Sequence, residues 1–457
     1  MLDGAARLNN GQGRESASAP KAKEAQEAYA GEESEVRETD AGEESEAQEA
    51  AAGEEPEEQE TSAGEEPEAQ ETAAGEEPKS EDSEGKSLEA ARDIPTAPGQ
   101  EPEIRVLLMD SGYTSYYHPF VEVTIEGRTV TYTPDSPELS EGAVILDGGE
   151  DGISISSIHR QEDPPVYQGT LEIKTTEKGL LLVNCLPLET YLEAVVPSEM
   201  PASYEKQALM AQAVCARTYA VRQIEEEALA EYGADVDDSV NYQVYRNYPP
   251  EEASTKAIRE TEGQIICQDG EPVTAYYFST SAGVTSTDEI WGADQASPYL
   301  QSVECTFDSQ EPWSHWSVEI PWSTLKERAN SQLGCTGELM SIEIVKKSES
   351  GAVTGLLAVT DQDSALVSQE YEVRQFLSPQ GLTVTEGDGT QIQGGSLLPS
   401  AYFTLRLDPG NLVLAEGSGY GHGVGMSQTA ANQMAKEGYT YEEILKYFFK
   451  DIELMNI

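Results

Sequence analysis

The chain has 457 residues, a formal net charge of −57 and a mean hydropathy of −0.50. Residues 1–100 carry 29 acidic side chains against 8 basic ones, and the remaining 357 residues carry 56 against 20, so both parts are strongly acidic. A surface of this sign repels polyanions and excludes nucleic acid as the main partner. No stretch of the sequence approaches the ~18 consecutive apolar residues that a membrane span needs.

The N-terminal region, residues 1–102, is predicted to be disordered. Within it the unit AGEE recurs every 11 residues, each time with a glycine and without an apolar stripe to bury. High charge makes such a segment an extended tether, with a docking tail as the alternative. The first residues lack the basic and apolar regions of a signal peptide, which predicts either a cytoplasmic protein or a natural N-terminus upstream of Met1.

A single folded domain is predicted over residues 103–457, and it begins with strands. Residues 121–125 and 130–132 are expected to form a hairpin across Glu126-Gly127. The other predicted strand pairs are residues 171–173 with 180–184, 261–268 with 272–278, 340–346 with 353–359, and 402–407 with 412–415. Helices are inserted among these strands, so the sequence predicts an α+β fold with a mainly antiparallel sheet.

Two predicted helices meet within residues 187–220, which read PLETYLEAVVPSEMPASYEKQALMAQAVCARTYA. Apolar residues at i, i+3, i+4, i+7 and i+8 from Leu188 predict the first helix, and Pro197 is expected to end it. Another proline follows four residues later, so Glu199 is expected in a stiff loop, with Ser203 as the N-cap of the second helix. A carboxylate held in this way is a candidate catalytic acid.

The second helix is rich in alanine, so a neighbouring element can pack closely against it. Arg217 lies on its apolar stripe together with Met210 and Val214. A buried guanidinium needs a carboxylate, a carbonyl or a ligand, because burying an unpaired charge is costly. Arg217 is therefore a candidate substrate-binding residue, and pairing with Glu199 is the structural alternative.

Three later segments combine aromatic, hydroxyl and glycine residues. Residues 241–248 read NYQVYRNY, which predicts either the wall of a sugar-binding cleft or a solvated loop. Residues 276–292, YYFSTSAGVTSTDEIWG, are dense in hydroxyls, and residues 417–428, GSGYGHGVGMSQ, form a glycine loop that leads into a helix. The last helix opens with a capping box of Thr440 and Glu443.

The cysteines predict neither a disulfide framework nor a structural zinc site. They occur singly, without CxxC spacing, at Cys185, Cys215, Cys267, Cys305 and Cys335. An odd, sparse set of this kind is typical of free thiols, most of them buried.

Three long motifs in this order resemble the stage II sporulation protein D and LytB family. They are LETYLEAVVPSEMPASYEKQALMAQAVCARTYA, YYFSTSAGVTSTDEIWG and GSGYGHGVGMSQTAANQMAKEGYTYEEIL. The resemblance covers roughly residues 103–457. These three sequences are, in chain order, the first, second and third motif.

The resemblance implies a lytic transglycosylase that needs no cofactor. Sporulation members cleave the MurNAc–GlcNAc bond of peptidoglycan glycan strands from which the stem peptides have been removed, leaving 1,6-anhydro-MurNAc ends during engulfment. It also implies extracytoplasmic action, at the cell wall or the sporulation septum. The family's catalytic acid is the glutamate of the EMP sequence, which is Glu199 here. LytB-type relatives are described as enhancers of an N-acetylmuramoyl-L-alanine amidase, so a non-catalytic wall-binding protein with an amidase partner is the alternative.

The remaining candidate site residues come from the same motifs. Glycines permit a close approach of the backbone to a ligand, so side chains beside them are expected to bond sugar hydroxyls or the N-acetyl group. Glu289 is the candidate for a second carboxylate, which would favour a hydrolase. Hydrogen bonding within a turn is the alternative for Ser279, Ser281, Thr285 and Glu289, and a purely structural loop is the alternative for Tyr420, His422 and Gln428. The candidate substrate-binding residues are Arg217, Ser279, Ser281, Thr285, Glu289, Tyr420, His422 and Gln428.

The second motif departs from the family pattern at two places. The usual histidine before Ser279 is Phe278, and the usual Gly-Gly is Ala282-Gly283. Some members bind zinc through His and Cys near this motif. Because that histidine is missing and no cysteine pair lies nearby, we expect no metal site here.

Overall fold

The computed structural model describes residues 102–160, 164–239, 242–245 and 249–457. Within these ranges it contains seven α-helices and a set of mainly antiparallel sheets, which confirms the predicted α+β class. The predicted disordered region, residues 1–102, lies outside the described residues except for Pro102.

The longest described helix has 21 residues, and the other helices and the strands are shorter. The helices are α1 (Leu188–Glu199), α2 (Lys206–Glu226), α3 (Glu252–Glu260), α4 (Trp322–Ser331), α5 (Glu370–Phe376), α6 (Gln428–Lys436) and α7 (Tyr441–Phe448). The strands are β1 (Glu103–Leu107), β2 (Val121–Ile125), β3 (Arg128–Tyr132), β4 (Val144–Asp147), β5 (Ile153–Ile155), β6 (Val166–Tyr167), β7 (Thr170–Thr176), β8 (Gly179–Pro187), β9 (Val236–Asp237), β10 (Gln264–Gln268), β11 (Glu271–Pro272), β12 (Tyr277–Phe278), β13 (Trp316–Pro321), β14 (Leu339–Lys347), β15 (Val353–Thr360), β16 (Ser364–Ser368), β17 (Thr383–Glu386), β18 (Gln391–Gln393), β19 (Phe403–Asp408), β20 (Leu412–Gly417), β21 (Met426–Ser427) and β22 (Glu453–Asn456).

The strands form separate small sheets rather than one large one. Their orders are β4-β7-β8-β1-β9, β3-β2-β5-β6, β11-β10-β22, β12-β21, β18-β17-β13-β20-β19 and β14-β15-β16. Among the described strands, β1 with β9 and β12 with β21 are parallel, and the other pairs are antiparallel. Four predicted hairpins are confirmed, namely β2 with β3, β7 with β8, β14 with β15 and β19 with β20.

Three hydrophobic cores hold these sheets together. The first core joins the two N-terminal sheets to α1 and one face of α2. The second joins the other face of α2 to α6, α7 and the second and third motifs. The third draws its side chains from residues 316–415, a stretch that lies between the second and third motifs in the sequence.

α2 is the central helix, and its composition follows from that position. Of its 21 residues, 14 are buried. Ala213, Ala216 and Ala220 belong to the first core, whereas Ala208 and Ala211 belong to the second. A helix packed on two sides needs small side chains, because larger ones would hold its neighbours apart at this density.

The junction between α1 and α2 differs from the prediction. Pro197 lies inside the last turn of α1 and does not end it, so Glu199 is the last helical residue and not part of a loop. A proline removes one helical hydrogen bond, but the helix ends two residues later and loses little more. Ser203 is not an N-cap: α2 begins at Lys206, and Asn432 on α6 accepts a hydrogen bond from the Glu205 backbone N–H (2.9 Å).

The predicted pairing of residues 261–268 with 272–278 is wrong over most of its length. β10 pairs with β11 through only two residue pairs and pairs more extensively with β22. Tyr277 and Phe278, predicted to belong to the partner of β10, pair with β21 instead. Local alternation of apolar residues indicates a strand but cannot identify a partner about 150 positions away in the sequence.

Two further sequence predictions concern the cysteines and the last helix. All five cysteines are free thiols and four of them are buried, as the spacing indicates. The capping box at the start of α7 is confirmed, with Thr440 and Glu443 bonding each other's backbone N–H. Among the described helices, none combines the length and apolar character needed to cross a membrane.

Candidate functional site

The second and third motifs lie side by side. β12 pairs in parallel with β21, which places Tyr277 opposite Met426. A few residues farther on, Thr280 forms an antiparallel bridge with Tyr420. The hydroxyl-rich run and the glycine loop therefore form one unit, although about 140 residues separate them in the sequence.

The glycines of the third motif are required by this close packing. Gly425 has φ of +83°, and a Cβ there would overlap the carbonyl oxygen of Tyr276. Gly421 has φ of +104°, and a Cβ there would lie 2.8 Å from the Cβ of Phe278. Left-handed φ and a close backbone neighbour both demand glycine. The packing against the second motif accounts for these two glycines without a ligand.

Glu199 lies where the first motif meets the third. It is 5 % exposed, at the C-terminal end of α1. Its main-chain carbonyl accepts a hydrogen bond from the side-chain amide of Gln428 (2.9 Å), and its Oε1 accepts one from the backbone N–H of Val244 (2.9 Å). Glu199 and Gln428 are thus brought together as the sequence predicts, but the carboxylate is buried.

Two buried tyrosines lie near the Glu199 carboxylate. Burial raises the pKa of Tyr191 and of Tyr277 well above the ordinary value, and the charge of Glu199 adds to the increase in both. The amide of Gln243 joins them, accepting from the Tyr191 hydroxyl (3.4 Å) and donating to that of Tyr277 (3.3 Å). Both phenols therefore stay neutral at ordinary pH.

The described part of residues 241–248 packs against this group. Residues 242–245 are all buried, so the predicted alternative of a solvated loop is wrong for these residues. Tyr245 lies between Tyr167 and Tyr191, with ring centroids 5.9 and 5.1 Å away, and its hydroxyl donates to Asn184 (2.9 Å). These tyrosines belong to the first core, and the neighbouring Val244 contacts the Glu199 carboxylate through its backbone N–H.

Gln428 also contacts a glutamine of α2. Its Nε2 donates to Oε1 of Gln212 (3.3 Å), and both residues are almost completely buried. In this arrangement Oε1 of Gln428 and Nε2 of Gln212 have no hydrogen-bond partner among the residues that the structure describes. One unpaired acceptor and one unpaired donor therefore lie close to the Glu199 backbone.

His422 lies in an aromatic box and not at the surface. It is 2 % exposed, with its ring centroid 5.2 Å from that of Trp291 and 5.7 Å from that of Phe278. Its Nδ1 accepts a hydrogen bond from the backbone N–H of Val424 (3.0 Å), so the ring proton is on Nε2. Burial, and then the positive charge of Arg374, lower the pKa of His422 to about 3. At neutral pH this histidine is uncharged.

We expect His422 to make stability depend on pH. Its pKa in the unfolded chain is ~6.5, so between pH 6.5 and 3 the unfolded state binds the extra proton and the free energy of unfolding falls as the pH falls. From pH 7 to pH 5 the loss is about 2 kcal/mol. Urea unfolding of wild type and His422→Gln at both pH values measures it, and the variant should show a smaller loss.

The comparison with the variant is needed because another buried group acts in the opposite direction. Burial raises the pKa of Asp238 to about 6, so the folded state gains from its protonation as the pH falls. That contribution is common to wild type and variant and cancels in the difference. Equal losses in the two proteins would contradict a neutral, buried His422.

Asp308 is a site residue that the sequence analysis missed. It is 1 % exposed and accepts hydrogen bonds from the backbone N–H of Ser281 (2.7 Å) and from the hydroxyls of Ser281 (2.8 Å) and Ser427 (2.7 Å). Ser427 is also the N-cap of α6, accepting from Ala430. Asp308 therefore fastens the second motif to the third. An aspartate outside every motif gave no signal in the sequence.

Replacing Asp308 by asparagine is expected to lower stability by about 2 kcal/mol, because one charged acceptor becomes a donor that faces other donors. Thermal unfolding monitored by circular dichroism measures the loss. Asp294→Asn, at an exposed aspartate, is the control and should change stability by less than about 0.5 kcal/mol. Equal stability of the two variants would show that Asp308 does not hold the motifs together.

Three predicted site residues take part in the hydrogen bonds that connect the second motif to the third. The carbonyl of Ser279 accepts hydrogen bonds from Ser427 (3.1 Å) and Thr429 (3.0 Å), and Ser281 donates to Asp308. The Tyr420 backbone exchanges two hydrogen bonds with that of Thr280. Their observed contacts bind one motif to the other.

The remaining predicted site residues lie elsewhere. Arg217 is fully buried and forms a bidentate ion pair with Glu189 of α1, not with Glu199 (2.6 and 2.7 Å). Thr285 accepts a hydrogen bond from the backbone N–H of Val303 (3.0 Å). Glu289 is exposed and accepts from Thr287 (3.0 Å). Within the described ranges no three His, Cys, Asp or Glu residues are grouped as a metal site requires.

The fold and site define an α+β protein in which three motifs converge on one buried glutamate. A family model described as stage II sporulation protein matches residues 176–267, the stretch that contains the first motif. The chain is 30 % identical over 286 residues to a stage II sporulation protein D of Bacillus subtilis (strain 168), covering 60 % of this chain and 75 % of that protein. The chain belongs to the stage II sporulation protein D family.

Two further relatives show the range of this family. A stage II sporulation protein D of Bacillus amyloliquefaciens is 28 % identical over 308 residues, covering 64 % of this chain and 81 % of the relative. A protein of Bacillus subtilis (strain 168) named amidase enhancer is 28 % identical over 291 residues, covering 56 % of this chain but only 39 % of that protein. The family resemblance read from the three motifs is confirmed.

Proposed function

We propose that this protein is a lytic transglycosylase that cleaves the MurNAc–GlcNAc bonds of peptide-stripped peptidoglycan during sporulation, outside the cytoplasm. The observation that supports it is the convergence of all three motifs on Glu199, through Gln428 and the Tyr277 neighbourhood. Residues 103–457 form the catalytic domain in this proposal. No cofactor is required.

The reaction needs one carboxyl group. Glu199, protonated, gives its proton to the glycosidic oxygen as the bond from that oxygen to the anomeric carbon breaks. The C6 hydroxyl of the same sugar attacks the anomeric carbon, and the Glu199 carboxylate takes the hydroxyl proton. The proton count balances, and the new end is a 1,6-anhydro sugar. A hydrolase would use water and a second carboxylate.

The surroundings of Glu199 suit a group that alternates between acid and base. Its position at the C-terminal end of α1 disfavours a negative charge there. The backbone N–H of Val244 stabilises the charged form. The carboxylate is nearly sealed, so the hydrogen bond from Val244 must break before Oε1 can reach a glycosidic oxygen.

Product analysis tests this proposal. The purified full chain is incubated with glycan strands whose stem peptides have been removed, and the products are analysed by mass spectrometry in H₂¹⁸O. We expect anhydro ends without incorporation of ¹⁸O. Reducing ends that carry ¹⁸O would identify a hydrolase and overturn the transglycosylase mechanism.

The second candidate function is a non-catalytic, wall-binding activator of an amidase. The burial of the Glu199 carboxylate and the name of one relative, amidase enhancer, favour it. In that case the purified chain would release no product from stripped glycan but would raise the rate at which an N-acetylmuramoyl-L-alanine amidase acts on intact peptidoglycan.

A further inference from the structure

One partly exposed tryptophan lies against the glycine loop. The ring centroid of Trp313 is 4.3 Å from that of Tyr420, with an angle of 48° between the planes. Tyr420 is 4 % exposed, whereas Trp313 keeps part of its surface open to solvent. Trp313 therefore covers the tyrosine of the third motif and presents its own indole at the surface.

The backbone around Trp313 is fixed on both sides. Its carbonyl accepts a hydrogen bond from the N–H of Gly419 (2.9 Å), and the preceding carbonyl, of Pro312, accepts one from Gly387 (2.9 Å). The indole N–H of Trp316 donates to the Gly419 carbonyl (3.0 Å). The backbone is thus fixed and the Trp313 ring packs on Tyr420, so the ring loses little conformational freedom when a ligand binds.

The chemistry of this surface matches a sugar. A pyranose has an apolar face of C–H groups that packs on an aromatic ring, and hydroxyls at its edge that need polar neighbours. Ser314 and His315, which are hydrogen-bonded to each other (3.2 Å), follow Trp313 directly. Among the described residues, the Trp313 indole N–H has no acceptor, so it is available to a hydroxyl. The acidity of residues 101–457 disfavours an anionic sugar at Trp313, so the neutral N-acetylglucosamine of a strand fits this surface better than N-acetylmuramic acid, whose lactyl carboxylate is charged once the stem peptide is removed.

The position of Trp313 relative to Glu199 sets the length of ligand required. Tyr277 lies near Glu199, and Thr280, which bridges to Tyr420, is three residues farther along the same run. At ~3.3 Å per residue, Tyr277 and Thr280 are separated by at most roughly 10 Å along the run. Trp313 and Glu199 lie near opposite ends of this stretch, so we expect that only a glycan longer than one sugar contacts both.

We propose that Trp313 is the stacking platform of a subsite for neutral N-acetylated sugars, which holds a glycan strand away from the bond that Glu199 cleaves. The substrate class rests on the proposed function. Binding of sugar at Trp313 does not depend on cleavage, so the two can fail separately.

Tryptophan fluorescence tests the subsite on the wild-type indole. The chain has four tryptophans, and the other three, Trp291, Trp316 and Trp322, are at most 6 % exposed. Quenching by acrylamide therefore reports mainly on Trp313. We expect an oligomer of β-1,4-linked N-acetylglucosamine to protect it, and glucose oligomers of equal length to protect it less.

Variants measured in a Glu199→Gln background, where the glycan stays intact, give the size of the contribution. Trp313→Ala is expected to weaken binding of long oligosaccharides about tenfold and to leave disaccharide binding unchanged. Trp313→Phe keeps a ring face and should retain most of the affinity. Phe120→Ala removes an exposed aromatic beside β2 and should change nothing.

Two results would overturn the subsite. One is that acrylamide quenches Trp313 equally well with and without an N-acetylated oligosaccharide, at oligosaccharide concentrations where binding to the protein is complete. The other is equal affinity of wild type and Trp313→Ala for the long oligosaccharide. If protection is found but wild type cleaves no glycan, the subsite stands and the transglycosylase proposal fails.

Discussion

Replacing Glu199 by glutamine is expected to lower glycan cleavage by about 10²–10⁴-fold, because this is what general acid–base catalysis by one positioned group contributes. Glutamine has the same shape and its Oε1 still accepts the Val244 N–H, so the fold is retained. Release of anhydro products from stripped glycan, with thermal unfolding recorded in parallel, measures both effects.

Glu193→Gln is the matched control, since Glu193 lies on the same helix. Its carboxylate forms a partly exposed ion pair with Arg259 (3.3 Å), and surface pairs of this kind contribute little. The control should cleave glycan like wild type. A folded Glu199→Gln protein that still cleaves would remove Glu199 from the mechanism. Loss of cleavage in both variants would point to a general effect of charge on α1.

The Arg217→Met variant is expected to lose about 3 kcal/mol of stability, the largest loss that we expect from one substitution in the described domain. Arg217 is fully buried and also donates to the carbonyls of Gln264 (3.1 Å) and Ile258 (3.2 Å). Removing it deletes the ion pair with Glu189, whose side chain is 19 % exposed, and removes one hydrogen bond from each of the two carbonyls. The midpoint of urea unfolding measures the loss.

Two further variants serve as controls for this prediction. Arg222→Met, on the same helix, removes only partly exposed i,i+3 and i,i+4 pairs and should cost at most about 0.5 kcal/mol. Combining Arg217→Met with Glu189→Leu removes both charges and should recover at least half of the loss. If Arg217→Met were as stable as wild type but bound glycan poorly, Arg217 would be a substrate ligand after all.

The candidate site could be predicted from the sequence only in part. The three motifs placed Glu199, Gln428 and His422 in one neighbourhood, and the structure brings Glu199 and Gln428 into contact. Asp308 was missed because it lies in none of the motifs. The burial of His422 and of Glu199 could not be predicted, because glycine-flanked and proline-flanked positions have the same local signals whether they are covered or open.

The sequence by itself determined the local features of this protein. Hairpins with short turns, the capping box at Thr440, the alanine-rich α2 and the need of Arg217 for a partner all follow from interactions within a few residues or from the cost of burying a charge.

Only the tertiary structure decided which segments meet. The partner of β12 is β21, and the N-cap of α2 is Glu205, whose backbone N–H donates to Asn432, instead of Ser203. The partner of Arg217 is Glu189, 28 positions earlier. These pairs form across two packed cores, where the burial of apolar surface outweighs the preference of any single residue for a local partner.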